Sequence, residues 1–588
     1  MVSPEPVPER RRRRIWPFGV GIVLGLFLLT AGWVAVTGLM AAREARSLAA
    51  SLTDLQAAAT ALDITQTAQL LPTARESAHR LTQLTSGAPW WLAEQLPKVG
   101  SSVRSGRELA ATIDDLLSAS EPLQPALNAV ASGQLRTADG GIDLSLITGS
   151  IAGLRATALA IPQATDRLGQ IDTTTLPPEV ARAVSEVRLQ LPTLVPLLAG
   201  AADTAEHIPS LLGADAPRTW LVLLQNPSEA RGSGGFIGGY ALITADHGKL
   251  TLTHAGANNE LVVHQPLDYT SLPQDTQDLW GRDLAEWQSI TLSPHFPYTG
   301  QMAVQGMKQM EQKVDGVLAV DPHVVALILK ATGPVTVAQR TVTADSAADY
   351  VTRQVYVDNP DDAKKDQALL SLLTQSLQQL TSGSLDLKTL ASGFGPLVEG
   401  HHLQAYSTTA AEQAWLETTP AAGVIDEAPG PHMTIALNNG AGNKVDAYIH
   451  TTASYTAGDC DQTATQFSTA TLTLENRAPT SGLPGMVTVR NDDPNATAGG
   501  ERMLVGVYGP VGALLMEATL DGKLEPVGGG TDRGHPVWTF EMSIDPGQKS
   551  TLSLGFTEPT VANPNPTLRL PAMVIPPRLS TSLQGCQP

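Results

Sequence analysis

Hydrophobic and polar positions divide this chain into stretches of different texture. From Ile15 to Ala42 run 28 consecutive uncharged residues, preceded by Arg10, Arg11, Arg12, Arg13 and Arg14. A bilayer core takes about 20 apolar helical residues, and Phe18 to Met40 supplies that length. Arginines concentrate on the cytoplasmic side, so the pattern predicts a cytoplasmic basic N-terminus over 1–17, a single transmembrane helix over 18–40, and Arg43 to Pro588 facing outward. Signal-peptide apolar regions run about 7 to 15 residues, which favours a retained anchor over a cleaved leader. Over 41–213, apolar residues then recur at steps of three and four. Leu48, Leu52, Leu55, Ala59 and Leu62 make one stripe; Leu109, Ile113, Leu116 and Leu117 a second; Val180, Val184, Val187, Leu191 and Leu194 a third. Each stripe marks one face of a helix, with breaks expected at Pro89, Pro97, Pro122, Pro177 and Pro192. The result is an extracellular helical bundle. Its Leu48–Leu62 stripe suits a parallel homodimer or packing against the chain's own later helices equally well.

From Arg218 the period changes. Trp220 to Leu224 is a short, continuously apolar run expected for a buried strand, Gln225 to Gly235 reads as a loop, and Phe236 to Thr244 as a second strand turning at Asp246, His247 and Gly248. Val314–Val320 reads as a strand, Val324–Lys330 as a short helix, Gly333–Val337 as a turn and strand, and Ala363–Leu380 as a long helix. This alternation predicts an α/β domain over 214–430. Beyond it, Ala447–Ser454, Thr469–Leu474, Gly485–Arg490, Arg502–Tyr508, Val537–Ile544 and Ser550–Phe556 have the spacing of a β-sandwich over 431–588. The proline-rich Pro559–Pro577 is expected to wrap it in extended form. The fold class is α+β and multidomain.

Charge narrows the partners. Of 38 basic and 57 acidic residues, five arginines and two glutamates fall within the first 40, leaving the rest with a net charge of −22. A field of that sign disfavours nucleic acid and anionic wall polymers bound by general attraction, so any anion site must be local. The only cysteines, Cys460 and Cys586, suit a single disulfide in an oxidising compartment, with two free thiols as the alternative.

Candidate chemistry centres on Gln225–Gly235. Arg231 offers a planar fork for phosphate or carboxylate, the nearby glycines could let backbone amides approach the same anion, and Glu229 could hold the arginine or ligate a cation. The competing reading is a Glu–Arg pair on a glycine-rich turn that only shapes the sheet. The Gly232–Gly239 stretch lacks the spacing of a nucleotide-binding loop and leads into a strand, and no Gly-x-Ser-x-Gly elbow accompanies Ser233. Adjacent His401 and His402 read as a solvated loop ahead of a metal site, and Asp315 and Asp321 as turn and cap residues.

The segments LVLLQNPSEARGSGGFIGGY, Ser293 to Pro297 (SPHFP), Val314 to Val337 and Asn438 to Ile449 (NNGAGNKVDAYI) closely resemble the bacterial membrane-anchored family called domain of unknown function 4012. That resemblance covers roughly Trp90 to Tyr455 and implies one N-terminal span, a helical stretch and an exported α/β domain, which is a location and a fold rather than a reaction. Val314–Val337 is also similar, more distantly, to LytR-CpsA-Psr proteins, exported enzymes that move glycopolymers from a polyprenyl pyrophosphate carrier to the wall. That resemblance implies Arg231 at the pyrophosphate, and Asp358, Asp361, Lys364, Lys365 and Gln367 in the family's helix motif. The chain departs from the pattern: lysine stands where those enzymes use arginine, and their Pro-Arg-Asp element is missing from Leu250–His264. Lysine is a point charge and cannot repeat a bidentate fork. Two functions follow as expectations. One is an anchored cell-envelope protein that binds wall polymer or an exported partner. The other is a phosphotransferase using Arg231, Lys364 and Lys365 on a lipid-linked pyrophosphate, with Glu229 or Asp361 holding Mg²⁺; no cofactor is implied otherwise.

Overall fold

The computed structural model describes residues 16–584 apart from 62, 98, 177, 262, 360, 383–384, 459–463 and 563–564. Cys460 and Cys586 lie outside the described residues. The chain divides into two compact units, residues 1–136 with 143–209, and residues 137–142 with 210–588; together they make a mixed α+β protein.

The first unit is helical: α1 (Trp16–Thr60), α2 (Ile64–Leu84), α3 (Ala88–Ala93), α4 (Gly100–Ala119), α5 (Gln124–Ala131), α6 (Leu144–Gln170) and most of α7 (Pro178–Leu211). The expected span forms the first half of α1, and its 23 residues rise about 35 Å at 1.5 Å each. Leu48, Leu52 and Leu55 pack against Leu71, Ala74, Ala78 and Leu81 of α2 and Ala110 and Leu117 of α4, so the first stripe is covered by the chain's own helices. Asp63 starts α2 by accepting a hydrogen bond from Gln66 N at 2.9 Å. Pro192 does not break the chain: with Pro196 and Pro209 it lies inside α7. An interior proline removes one helical bond, and a 34-residue helix retains enough others to continue past it. Among the described residues, α6 is long and apolar enough to cross a membrane. Its Ile161, Ala164 and Leu168 are nevertheless buried, and its Thr157 hydroxyl donates to Ala119 O of α4 at 3.3 Å.

The second unit opens with β1 (Arg218–Arg231), β2 (Gly234–Asp246) and β3 (Lys249–Ala257), followed by α8 (Gln274–Leu284), α9 (Phe296–Gln309), β4 (Gly316–Val320), α10 (Pro322–Thr332), β5 (Val335–Val337), β6 (Arg340–Val342), α11 (Ala344–Asp349), α12 (Val355–Asp358), α13 (Asp362–Ser382), α14 (Leu387–Glu399), β7 (Leu403–Ser407) and α15 (Ala410–Leu416). The sheet order is β3-β2-β1-β4-β7, with β1 and β4 parallel and the other pairs antiparallel. Successive residues of a strand face opposite sides. Leu221 and Leu223 therefore join the core built with Trp287, Phe296 and Met302, while Val222 and Leu224 join Leu373 and Leu377 of α13. A sheet covered on both faces explains the unbroken apolar run.

Gln225–Gly235 is mostly strand rather than loop. Strand β1 continues through it to Arg231 with register shifts at Leu224/Gln225 and Asn226/Ala230, and only Gly232 and Ser233 turn the chain into β2. Bulges absorb what a regular ladder cannot. Pro227 lacks a donor, and Asn226 Oδ1 takes the Ser228 N–H at 3.0 Å instead.

The C-terminal part contains β8 (His432–Asn439), β9 (Ile449–Ala457), β10 (Thr465–Asn476), α16 (Gly485–Thr488), β11 (Glu501–Tyr508), β12 (Leu514–Leu520), β13 (Lys523–Leu524), β14 (Gly528–Asp532), β15 (His535–Ile544), β16 (Lys549–Pro559), β17 (Thr567–Arg569) and β18 (Arg578–Leu583). Sheets β13-β12-β16-β10-β9-β18 and β14-β15-β11-β8-β17 enclose one core that includes Ile435, Val505 and Phe540 from the second and Tyr455, Leu472 and Phe556 from the first. Gly485–Arg490 is not a strand. It begins with α16, whose Val487 packs with Tyr350 and Tyr356 against the α/β part. Within the proline-rich stretch, β17 adds an edge strand beside β8.

Candidate functional site

The end of β1 is tied to the chain after β8. Glu229 accepts from Arg231 Nη2 at 2.8 Å and from Lys444 Nζ. Arg231 Nη1 also donates to Asn439 O at 2.7 Å, and the Arg231 guanidinium and Lys444 ammonium lie 5.7 and 5.1 Å from the Phe236 ring centroid. Both oxygens of Glu229, whose side chain is 6 % exposed, are thus engaged by cations. The turn amides are taken as well: Gly232 N donates to Asn438 Oδ1 at 2.9 Å and Ser233 N to Thr291 O at 3.0 Å. A Cβ on Gly232 would stand 2.1 Å from Leu292 O, so close backbone approach accounts for this glycine.

Behind this turn sit two buried acids. Asp446 accepts from Ala230 N at 2.7 Å and from Asn439 Nδ2 at 2.9 Å, and the same Nδ2 reaches Glu501 Oε2 at 3.0 Å. Burial, with the charge of Glu229 against the hydrogen bonds, pushes the Asp446 carboxyl up to about 6; burial and the Asp446 charge hold Glu501 well above the usual carboxylate range. Each keeps one oxygen, Asp446 Oδ1 and Glu501 Oε1, without a hydrogen-bond partner.

Beside the turn opens a cleft of about 330 Å³. Lys365 and Lys444, the amide residues Asn226, Asn258 and Asn491, and the rings of Phe236 and Tyr356 line it. Lys365 Nζ lies 2.9 Å from Asp362 and 3.3 Å from Asp366. Burial works against its charge, but the two carboxylates outweigh it and the ammonium pKa is raised. Lys365 is matched by two aspartates, while Lys444 shares the single charge of Glu229 with Arg231, so each lysine of the cleft already has a carboxylate partner. A smaller apolar chamber of about 70 Å³ shares Asn226, Gly238, Asp366 and Leu369 with the cleft and continues between Leu224, Val320 and Leu373.

Of the residues singled out in the sequence, Lys365 alone lines the cleft; Arg231 and Glu229 stand behind Lys444. Lys364 is exposed, and its backbone N–H meets the Asp361 carboxylate at 3.0 Å, where Asp361 precedes α13. Asp358 pairs with Arg340 at 2.6 Å. Lys444, Asp446 and Glu501 are functional candidates that no sequence motif marks. The signal available was NNGAGNKVDAYI, whose amide and charged residues are concentrated between apolar strands.

An α/β layer whose central strand ends in a polar junction beside a cleft defines a mixed α+β protein. Residues 215–356 match the family model described as "Protein of unknown function (DUF4012)", and the chain carries this domain. The matched stretch holds β1 to β4 and Tyr356 but ends before Lys365 and Lys444. No curated protein and no solved structure matches the chain, and the likeness to LytR-CpsA-Psr proteins is not shown.

Proposed function

We propose that this chain is a membrane-anchored cell-envelope protein, N-terminus inside and bulk outside, whose cleft binds a segment of neutral or zwitterionic wall polymer. The observation that carries the binding reading is the cleft lining itself: side-chain amides, two aromatic rings and lysines already paired with carboxylates. Such a surface suits hydroxyls and sugar-ring faces better than a pyrophosphate, which would have to compete with Asp362, Asp366 and Glu229 for the cations. Anchoring draws support from the exposed apolar residues Trp33, Val36, Leu39 and Met40 at the end of the proposed span.

The test is binding of the detergent-solubilised full chain to purified wall-polymer fragments, comparing native protein with Asn491→Ala and Lys365→Ala. Saturable binding weakened about tenfold by either variant is the expected result. No binding by the folded native chain overturns the reading. Binding to a polyprenyl pyrophosphate analogue that requires Mg²⁺ and Arg231 would replace it with the transferase.

A further inference from the structure

Asp321 follows β4 and starts α10. Its Oδ1 accepts from His323 N at 2.8 Å, and its backbone N–H donates to His402 O at 3.1 Å, which ties the end of β4 to the beginning of β7. Those bonds satisfy the roles of cap and strand partner and leave Oδ2 over. This oxygen lies 2.6 Å from His402 Nδ1 and 3.3 Å from His323 Nδ1, and the two imidazole centroids are 4.2 Å apart. The three atoms fall within 4.8 Å of one another. The Asp321 side chain is 1 % exposed, those of His323 and His402 27 % and 19 %, so the carboxylate is enclosed while the rings keep an open side. Gly400 leaves room for the His402 ring, since a Cβ there would approach its Cδ2 to 2.8 Å.

We propose that Asp321, His323 and His402 form a divalent transition-metal site of the zinc class, with two imidazole Nδ1 atoms and one carboxylate oxygen as ligands. Two nitrogens and a hard oxygen are a borderline donor set that favours zinc-like ions over calcium or magnesium. Tetrahedral ligands at about 2.0 to 2.1 Å stand about 3.3 Å apart, the spacing already present between Asp321 Oδ2 and His323 Nδ1. His402 would need to open from Oδ2 by less than about 1 Å, with the two Nδ1 atoms, which lie within 4.8 Å of each other, settling to the same spacing. With both rings neutral, ligation moves each ring proton from Nδ1 to Nε2, and the ion replaces the two N–H bonds to Oδ2. Three protein ligands leave a position for water or a ligand donor atom. Asp321 also borders the apolar chamber. The sequence hid the site because Asp321 and His402 are 81 residues apart and neither lies in a ligand motif.

The test uses the full chain in detergent, stripped with EDTA and titrated with zinc by calorimetry and with cobalt(II) by visible absorption. One zinc per chain is expected, with a cobalt spectrum of low-coordinate type. His323→Ala and His402→Ala should each weaken zinc at least 100-fold, while exposed His247→Ala should not. Thermal melts check folding; His323→Ala retains the backbone N–H that Asp321 caps, so it carries the test if His402→Ala unfolds. Absence of zinc uptake by the folded native chain, or uptake that survives both substitutions, overturns the proposal.

Discussion

Glu229 holds two cations at once, and removing its charge leaves Arg231 and Lys444 close together beside the Phe236 ring without a shared counter-charge. Breaking a buried pair from one side costs about 3 to 5 kcal/mol. Glu229→Ala is therefore expected to lower the unfolding free energy by about 3 kcal/mol in urea titration, and a loss below about 1 kcal/mol would mean that water screens the cluster. Asp446 and Glu501 act in the opposite sense. Both hold protons more tightly folded than unfolded, so between the unfolded values near 4 and the raised folded ones the native chain binds more protons, and stability falls as pH rises. The pair's contribution is complete at about pH 4 and declines through the folded Asp446 value of about 6 and beyond, as Glu501 ionises. Glu501→Gln should remove much of this slope: measured from pH 5 to pH 8, the melting temperature of the variant should drop less than that of the native chain. An equal drop in both would show that the pair does not titrate in this window.

At the scale of elements, α3 has a character its proline-bounded sequence only partly discloses. Trp90 is buried, its Nε1–H donating to Thr37 Oγ1 of α1 at 3.1 Å, while Trp91, Leu92, Leu96 and Val99 are exposed. Thr37 lies near the outer end of the proposed span, so this bond would set α3 at the depth where tryptophan prefers the membrane–water interface. In vesicles with lipids brominated near the headgroup, the fluorescence lost on Trp91→Phe should be strongly quenched in the native chain; an unquenched difference spectrum would put α3 in water. Strand β4, α10, α13 and the helices under the stripes were legible because period and length decide such elements, although Val187 and Leu194 of the third stripe are exposed. The β1–β2 turn was not, since Asn226, Pro227 and the glycines read locally as loop while pairing across the hairpin holds them in strand. Similarly, Gly485–Arg490 reads as a strand, yet packing of Val487 against Tyr350 and Tyr356 selects a helical turn over Gly485–Thr488.

At the scale of the second unit, sequence texture separates an α/β part from a two-sheet part, but side chains join them. Ala230, on β1, belongs to the same buried cluster as Ile435, Tyr455 and Phe540. Gly232 N bonds Asn438, Arg231 bonds Asn439 O, and Arg569 of β17 donates to Val424 O at 2.7 Å and Pro294 O at 3.1 Å. Asn438–Ile449 and Ser293–Pro297 thus carried the family resemblance while their physical work is to close this junction. Only long-range contact reveals that, and it was the part of the candidate site least legible in the chain. A junction of buried polar partners is expected to make the two parts one cooperative unit, because separating them would strand Glu229, Asp446 and Arg569 without their bonds. Met542→Ala, made deep in the two-sheet core, is expected to cost about 2 to 5 kcal/mol. The decisive observation is where that loss is felt. Hydrogen exchange of the β1 and β4 amides should accelerate with those of β11 and β15 if the junction couples them, whereas protection lost from β11 and β15 alone would mean that the α/β part unfolds independently.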